Sequence, residues 1–243
     1  MTQRQKIVLA VVTALTCSTG AATAAQLRVE PVLLEINAPA AAATLTLRND
    51  ESDEVTVQTR VLRWSQTAGK ETLEPTTDVV ASPPAVTLAP GADYVVRVVR
   101  VSKQPVVGEE SYRVIVDQLP GPGQQNRSVS LLIRQSIPAF FRGREVSLPA
   151  VGWSISTDAG RLVVAASNAG DARLRIASLR LKDSSGTTIS FGNGLVGYVL
   201  GRSSMSWIAP KNPRGFGSGG PVSVTAETDR GPTHAVVQSP PHR

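Results

Sequence analysis

The sequence predicts an all-β protein made of two immunoglobulin-like β-sandwich domains in series. Three observations predict it. Short segments alternate apolar and polar residues with period two, the pattern of half-buried strands. Gly, Pro, Asn and Asp interrupt these segments at the short spacing of antiparallel sandwiches. No segment carries the apolar periodicity of an amphipathic helix. The 243 residues suffice for one large or two modest domains.

Residues 1–25 read as a signal peptide rather than as part of the fold. Arg4 and Lys6 form a charged start, Ile7 to Leu15 is a short apolar run, and Ala22-Thr23-Ala24 is a small-residue cleavage site. The apolar run is too short to span a bilayer, and no later stretch is apolar for long enough, so no integral membrane segment is expected in the mature protein. Cys17 is the one cysteine and lies in the signal. Ala14-Leu15-Thr16 before it fit a lipid-attachment site poorly. The mature chain therefore enters an oxidising compartment without disulfides and depends on its core for stability.

The first domain is expected over residues 26–141. The alanines of 38–43 read as a loop or strand edge. Thr44 to Arg48 is a strand, Asn49 to Glu54 a polar turn, and Val55 to Gln58 a strand continuing through Val61 and Leu62. Val86 to Leu88 follows, then a turn at Pro90-Gly91. Tyr94 to Val101 and Tyr112 to Val116 are strands joined by a loop holding Pro105 and Gly108. Pro120 to Asn126 is a long breaker before an extended Ser128 to Phe141. Arg142-Gly143-Arg144 reads as a hinge. The second domain, 145–237, takes its strands from Val151 to Ile155, Leu162 to Ala166, Leu174 to Leu181, Thr187 to Phe191, Gly197 to Leu200, Met205 to Ile208 and Val222 to Ala226. The tail, 238–243, is expected to be disordered.

Composition and motifs argue against several functions. The net charge of +6 and pI near 10.0 invite a nucleic-acid partner, but the arginines are scattered singly with no basic run or recognition helix. No nucleic acid is expected. Gly192-Asn193-Gly194-Leu195-Val196-Gly197 matches a dinucleotide fingerprint in spacing alone, since a strand rather than a helix follows it. His234 and His242, the only histidines, have no ligand partners at metal spacing. No cofactor or metal is expected, and no catalytic residues are visible. Glu109, Glu110 and Asp117 read as solvated charges.

Several segments then come in an order that resembles the periplasmic chaperones of chaperone-usher pili. They are Asn49, Gln58 to Gln66, Ala81-Ser82-Pro83-Pro84, Leu88-Ala89-Pro90-Gly91, Ser111-Tyr112-Arg113, Gln118-Leu119-Pro120 and Ile137 to Phe141. The resemblance runs from about Leu27 to Phe141 and is greatest to the archaic, spore-coat-U-like branch. It implies a periplasmic protein, not an enzyme. Such a chaperone lends a strand to pilin subunits that lack one and passes them to an outer-membrane usher. The rival reading is an exported structural pilus subunit or adhesion module of the same fold.

The resemblance also implies a donor strand. Val129, Leu131 and Ile133 fall on one face, with polar Gln135 and then Ile137 continuing it, while Leu132 turns toward the chaperone's own core. On the residues alone, Val129, Leu131 and Ile133 read rather as core, and it is the resemblance that makes them a donor face. Better-known branches anchor the subunit's terminal carboxylate on a basic pair, but the matching positions here hold Leu33 and Pro138. Arg113 is the first substitute, with Arg134, Arg97 and Arg100 behind it, because an arginine fork suits a carboxylate. The alternative for Arg113 is an ion pair with Glu109 or Asp117.

Overall fold

The computed structural model describes residues 27–120, 132–211, 213, 215–217 and 220–238. Among them there is no helix, and so none long and apolar enough to cross a membrane. The strands form two pairs of sheets, each pair closed on its own core, with the change between them after Arg142.

In the first sandwich one sheet has the order β1 (Leu27–Glu30), β3 (Ala42–Asn49), β8 (Asp93–Arg100), β6 (Val79–Ser82). The other runs β2 (Leu34–Asn37), β10 (Arg134–Arg142), β9 (Glu109–Leu119), β4 (Val55–Thr67), β5 (Lys70–Pro75), with β7 (Ala85–Leu88) also on β4. Period two does the sorting. Leu45 and Leu47, Val96 and Val98, and Tyr112, Val114 and Val116 all point inward and are fully buried. Each such side chain contributes roughly 1.5–3 kcal/mol by leaving water.

The polar turn after β3 is built by one buried side chain. Asn49 Nδ2 donates to the carbonyls of Asp53 and Leu88 at 2.8 and 3.0 Å, and its Oδ1 accepts from Glu51 N–H at 2.9 Å. The strand begun at Val55 runs on past Leu62 and turns back at Ala68-Gly69, both with positive φ (52° and 78°). That left-handed pair makes a tight hairpin into β5.

The second sandwich pairs β11 (Val151–Asp158), β12 (Arg161–Asn168) and β16 (Ser203–Ile208) in one sheet. The other holds β14 (Thr188–Ser190), β13 (Leu174–Asp183), β17 (Pro221–Thr228) and β18 (Gly231–Gln238), with β15 (Leu195–Val199) also on β13. The glycine-rich segment after Phe191 is a loop leading into strand β15, so no helix N-terminus stands there to hold a pyrophosphate.

The expected hinge differs from the observed junction. Gly143 N–H donates to the Gly108 carbonyl at 2.8 Å, and a Cβ on Gly143 would lie 2.4 Å from the Val106 carbonyl oxygen. The β4–β5 hairpin also crosses the junction. The Gly69 carbonyl accepts from Ser206 N–H at 3.0 Å. Gln66 donates to the Tyr198 carbonyl at 2.8 Å and accepts from Leu200 N–H at 2.9 Å. Trp64, Phe140, Tyr198 and Leu200 form a separate buried cluster between the sandwiches, with Leu33 packed against it. The connection is fastened on several sides.

Candidate functional site

β10 carries an open stretch of edge beside the junction of the sandwiches. On one side it pairs antiparallel with β9 along its whole length, from Arg134↔Asp117 to Arg142↔Glu109. On the other it pairs parallel with β2, but only from Ala139↔Leu34 to Arg142↔Asn37. Among the described residues, nothing pairs with that second edge at Arg134 to Pro138. Gln118 N–H donates to the Ile133 carbonyl and Ala38 N–H to the Arg142 carbonyl, both at 2.9 Å. Backbone direction alternates along a strand, so Arg134, Ser136 and Pro138 face the open edge and Ile133, Gln135 and Ile137 face β9. Proline has no N–H, and an open edge is where a strand tolerates it.

The proposed donor face divides at this edge. Val129 and Leu131 lie outside the described residues. Ile133 is half-exposed, and Gln135 Nε2 donates to the Leu27 carbonyl at 2.7 Å. Ile137 is a correction: it is buried in the first core with Val114 and Phe141, so it is not an exposed donor residue. Leu132 is another, since it is 41% exposed instead of turned into the core. The reason is common to both. Odd-numbered residues of β10 face the inside of the sandwich, where the far end of the strand is closed over and the near end is open.

The four candidate arginines occupy distinct environments. Arg100 is spent: its guanidinium pairs with both oxygens of Glu110 at 2.8 and 2.9 Å and donates to the Ser102 carbonyl. Tyr112 also donates to Glu110, at 2.9 Å. Burial pushes the Glu110 carboxyl up, but the Arg100 and Tyr112 hydrogen bonds outweigh it and hold it below its ordinary value. Arg134 is held by Asp117, which Arg60 also contacts at 2.8 Å. Burial raises the Asp117 carboxyl too, and again the two arginines win. Arg97 is exposed on β8, in the sheet opposite β10.

Arg113 differs from these three. It lies directly across from Pro138 on β9, on the face turned to the second sandwich. Its guanidinium lies 3.8 Å from the Trp64 ring centroid and 6.0 Å from that of Tyr198. Burial lowers its pKa, opposed by Glu71, and among the described residues it has no ion pair. Its alternative partners are taken. Asp117 belongs to Arg60 and Arg134, and Glu109 accepts from Arg142 at 3.0 Å and from Arg173 at 2.8 Å. A half-buried guanidinium stacked on indole, with no carboxylate in ion-pair contact among the described residues, is suited to bind one.

Sequence reasoning missed the residues that shape this cleft. Trp64, Tyr198 and Gln66 meet across more than 130 positions of chain. Arg173 is buried, bonded to Glu109 and Glu35, and stacked 3.6 Å from the Phe140 ring centroid. The signal for Trp64 was the resemblance, whose motifs included it. Nothing local distinguished Arg173.

With this geometry in view, the comparisons identify the class. Residues 26–147 match the N-terminal domain of the pili and flagellar-assembly chaperones, and the chain belongs to that family. No curated protein matches it. Among solved structures it is similar to a chain of the CsuC–CsuE chaperone–tip adhesion subunit pre-assembly complex from the archaic Csu pili of Acinetobacter baumannii. There the identity is 22%, with 89% of this chain and 100% of that one covered and a TM-score of 0.68. The Salmonella enterica SafA pilin–SafB chaperone complex gives 20% identity, coverage of 87% and 96%, and a TM-score of 0.59. The E. coli chaperone DraB gives 21%, 87% and 98%, and 0.56. The protein is a pilus-assembly chaperone of two immunoglobulin-like sandwiches, and the reading as a structural subunit is set aside.

Proposed function

We propose that this chaperone works in the periplasm by donor-strand complementation. Its β10 edge completes a pilin subunit that lacks a strand, and the subunit is later released to an outer-membrane usher. The observation that carries the reading is the open edge of β10 at Arg134 to Pro138, beside a cleft whose one unpaired guanidinium among the described residues is Arg113. Main-chain hydrogen bonds along such an edge supply affinity, and alternate apolar side chains supply fit. Ile133, with Val129 and Leu131 upstream, provides that fit. Arg113 holds the subunit's terminal carboxylate, in place of the basic pair replaced by Leu33 and Pro138. That replacement and the similarity to the Csu complex support a reading of the chain as a member of the archaic branch. The working units are residues 26–141 and 145–237.

The test is co-purification from the periplasm, with mass-spectrometric identification of what is bound. A pilin should be recovered, and Arg113→Ala should cut its yield at least about tenfold, the cost of a charged hydrogen bond. Recovery of no subunit would reject the reading, and an unchanged yield would remove Arg113 from it.

A further inference from the structure

The open edge of β10 is closed at one end by two independent features. Pro138 faces it but has no N–H to offer, and β2 occupies it from Leu34 onward. We infer that Pro138 sets the register and length of the captured strand, so that the subunit's last residue lies opposite Ile137 with its carboxylate beside Pro138. This rests on the donor-strand reading above.

The direction of the incoming strand follows from the fold. β10 runs from Arg134 toward the second sandwich at Arg142, so a strand whose terminal carboxylate enters the cleft runs parallel to it, end to end with β2. In a parallel ladder, an edge-facing residue bonds to the two residues flanking the one opposite it. Arg134 and Ser136 each offer both groups. The incoming residue opposite Gln135 donates to the Arg134 carbonyl and accepts from Ser136 N–H. The next but one, opposite Ile137, donates to the Ser136 carbonyl, and its own carbonyl would require an N–H from residue 138.

No such donor exists. An internal residue at that point leaves a carbonyl unpaired as it is buried, which is costly. A terminal carboxylate needs no ladder bond there and turns instead to Arg113, the cross-strand neighbour of Pro138. A longer strand would also meet Leu33 and Leu34. Proline at this position thus does different work from a charged side chain: it marks the end of the ladder and leaves the charge to β9.

The experiment compares the pilin subunit recovered with the chaperone at native length and with Gly-Ser added at its C-terminus. The wild-type chaperone should recover the extended form at least about tenfold less well, through loss of the charged contact. Pro138→Ala restores one N–H, and should raise recovery of the extended form about fivefold while changing the native form less than about twofold. Pro138→Ser, which restores the same N–H, should match it, and the melting temperature of each free variant shows that it is folded. Equal recovery of both lengths by the wild type overturns the inference. So does an unchanged length ratio in two folded variants. If the wild type recovers no subunit of either length, the donor-strand reading itself fails.

Discussion

Replacing Glu109 by Ala should destabilise the junction between the sandwiches more than any surface ion-pair change. The Glu109 side chain is 1% exposed and that of Arg173 is 3% exposed. Glu109 takes three contacts at 3.0 Å or less: Arg142 Nη2 at 3.0 Å, Arg173 Nη1 at 2.8 Å and the Arg173 backbone N–H at 2.9 Å. Removing it leaves the Arg173 guanidinium buried against Phe140 with Glu35 alone, whose side chain is 55% exposed. Arg142 is half-buried and can turn to water. Breaking a buried pair by removing one partner costs about 3–5 kcal/mol, mostly because the other charge stays buried. Urea unfolding followed by tryptophan fluorescence reads this, because Trp64 sits in the same junction. The loss should appear as a lower midpoint. The double variant Glu109→Leu/Arg173→Leu should recover most of it, since no charge is stranded. A Glu109→Ala loss under about 1 kcal/mol, or no recovery in the double variant, would refute the reasoning.

Two further outcomes follow from burial and charge. Ile137→Ala should destabilise the free protein by about 2–5 kcal/mol, as a cavity in the first core, whereas half-exposed Ile133→Ser should leave the free melting temperature nearly unchanged and lower subunit recovery instead. Thermal scans against pH should show stability falling as acid is added. Glu110, Asp117 and Asp171 all have folded-state values below their unfolded ones, that of Asp171 at about 2 through its Ser147 and Arg202 hydrogen bonds. Their contribution is complete above about pH 4.5, the ordinary glutamate value, and disappears as pH drops through the lower folded values. A melting temperature flat from neutral pH to about pH 2 would contradict this.

The sequence was legible wherever one face of a strand is dry. Thr44 to Arg48 alternates because the pleat sends every second residue into the core, and both it and Tyr112 to Val116, where Ile115 is buried as well, lie within observed strands. β5 was not read, because all six of its residues, Lys70 to Pro75, are exposed and carry no alternation. β18 was missed for a related reason: Ala235 and Val237 are only half-buried, and Pro232 reads as a breaker. The segment proposed as donor strand is extended from Arg134 onward, but its facing could not be read. Ile133 and Ile137 share a face, and only the closing of the sandwich over Ile137 separates them.

The site was legible where a local motif carried it. Arg113 stood beside Tyr112, in a segment the resemblance included. The sequence could not tell that Glu109 and Asp117 were already engaged, because Arg173 lies 64 residues from Glu109 and Arg60 lies 57 from Asp117. Glu109 therefore read as a solvated charge, although its side chain is among the most buried acids in the fold. The close packing at the junction was not legible on the same grounds. Arg142-Gly143-Arg144 looks like a flexible breaker, but its glycine is there because the Val106 carbonyl leaves no room for a side chain.

Amide hydrogen exchange on the chaperone, free and bound to its recovered subunit, tests the donor edge most directly. Arg134 and Ser136 point their N–H groups at the open edge, while Gln135 and Ile137 already face β9. On capture, exchange at Arg134 and Ser136 should slow at least about tenfold as their N–H groups enter a new ladder, and Gln135 and Ile137 should change little. Unchanged exchange at Arg134 and Ser136 in a complex that has formed would contradict strand donation by β10.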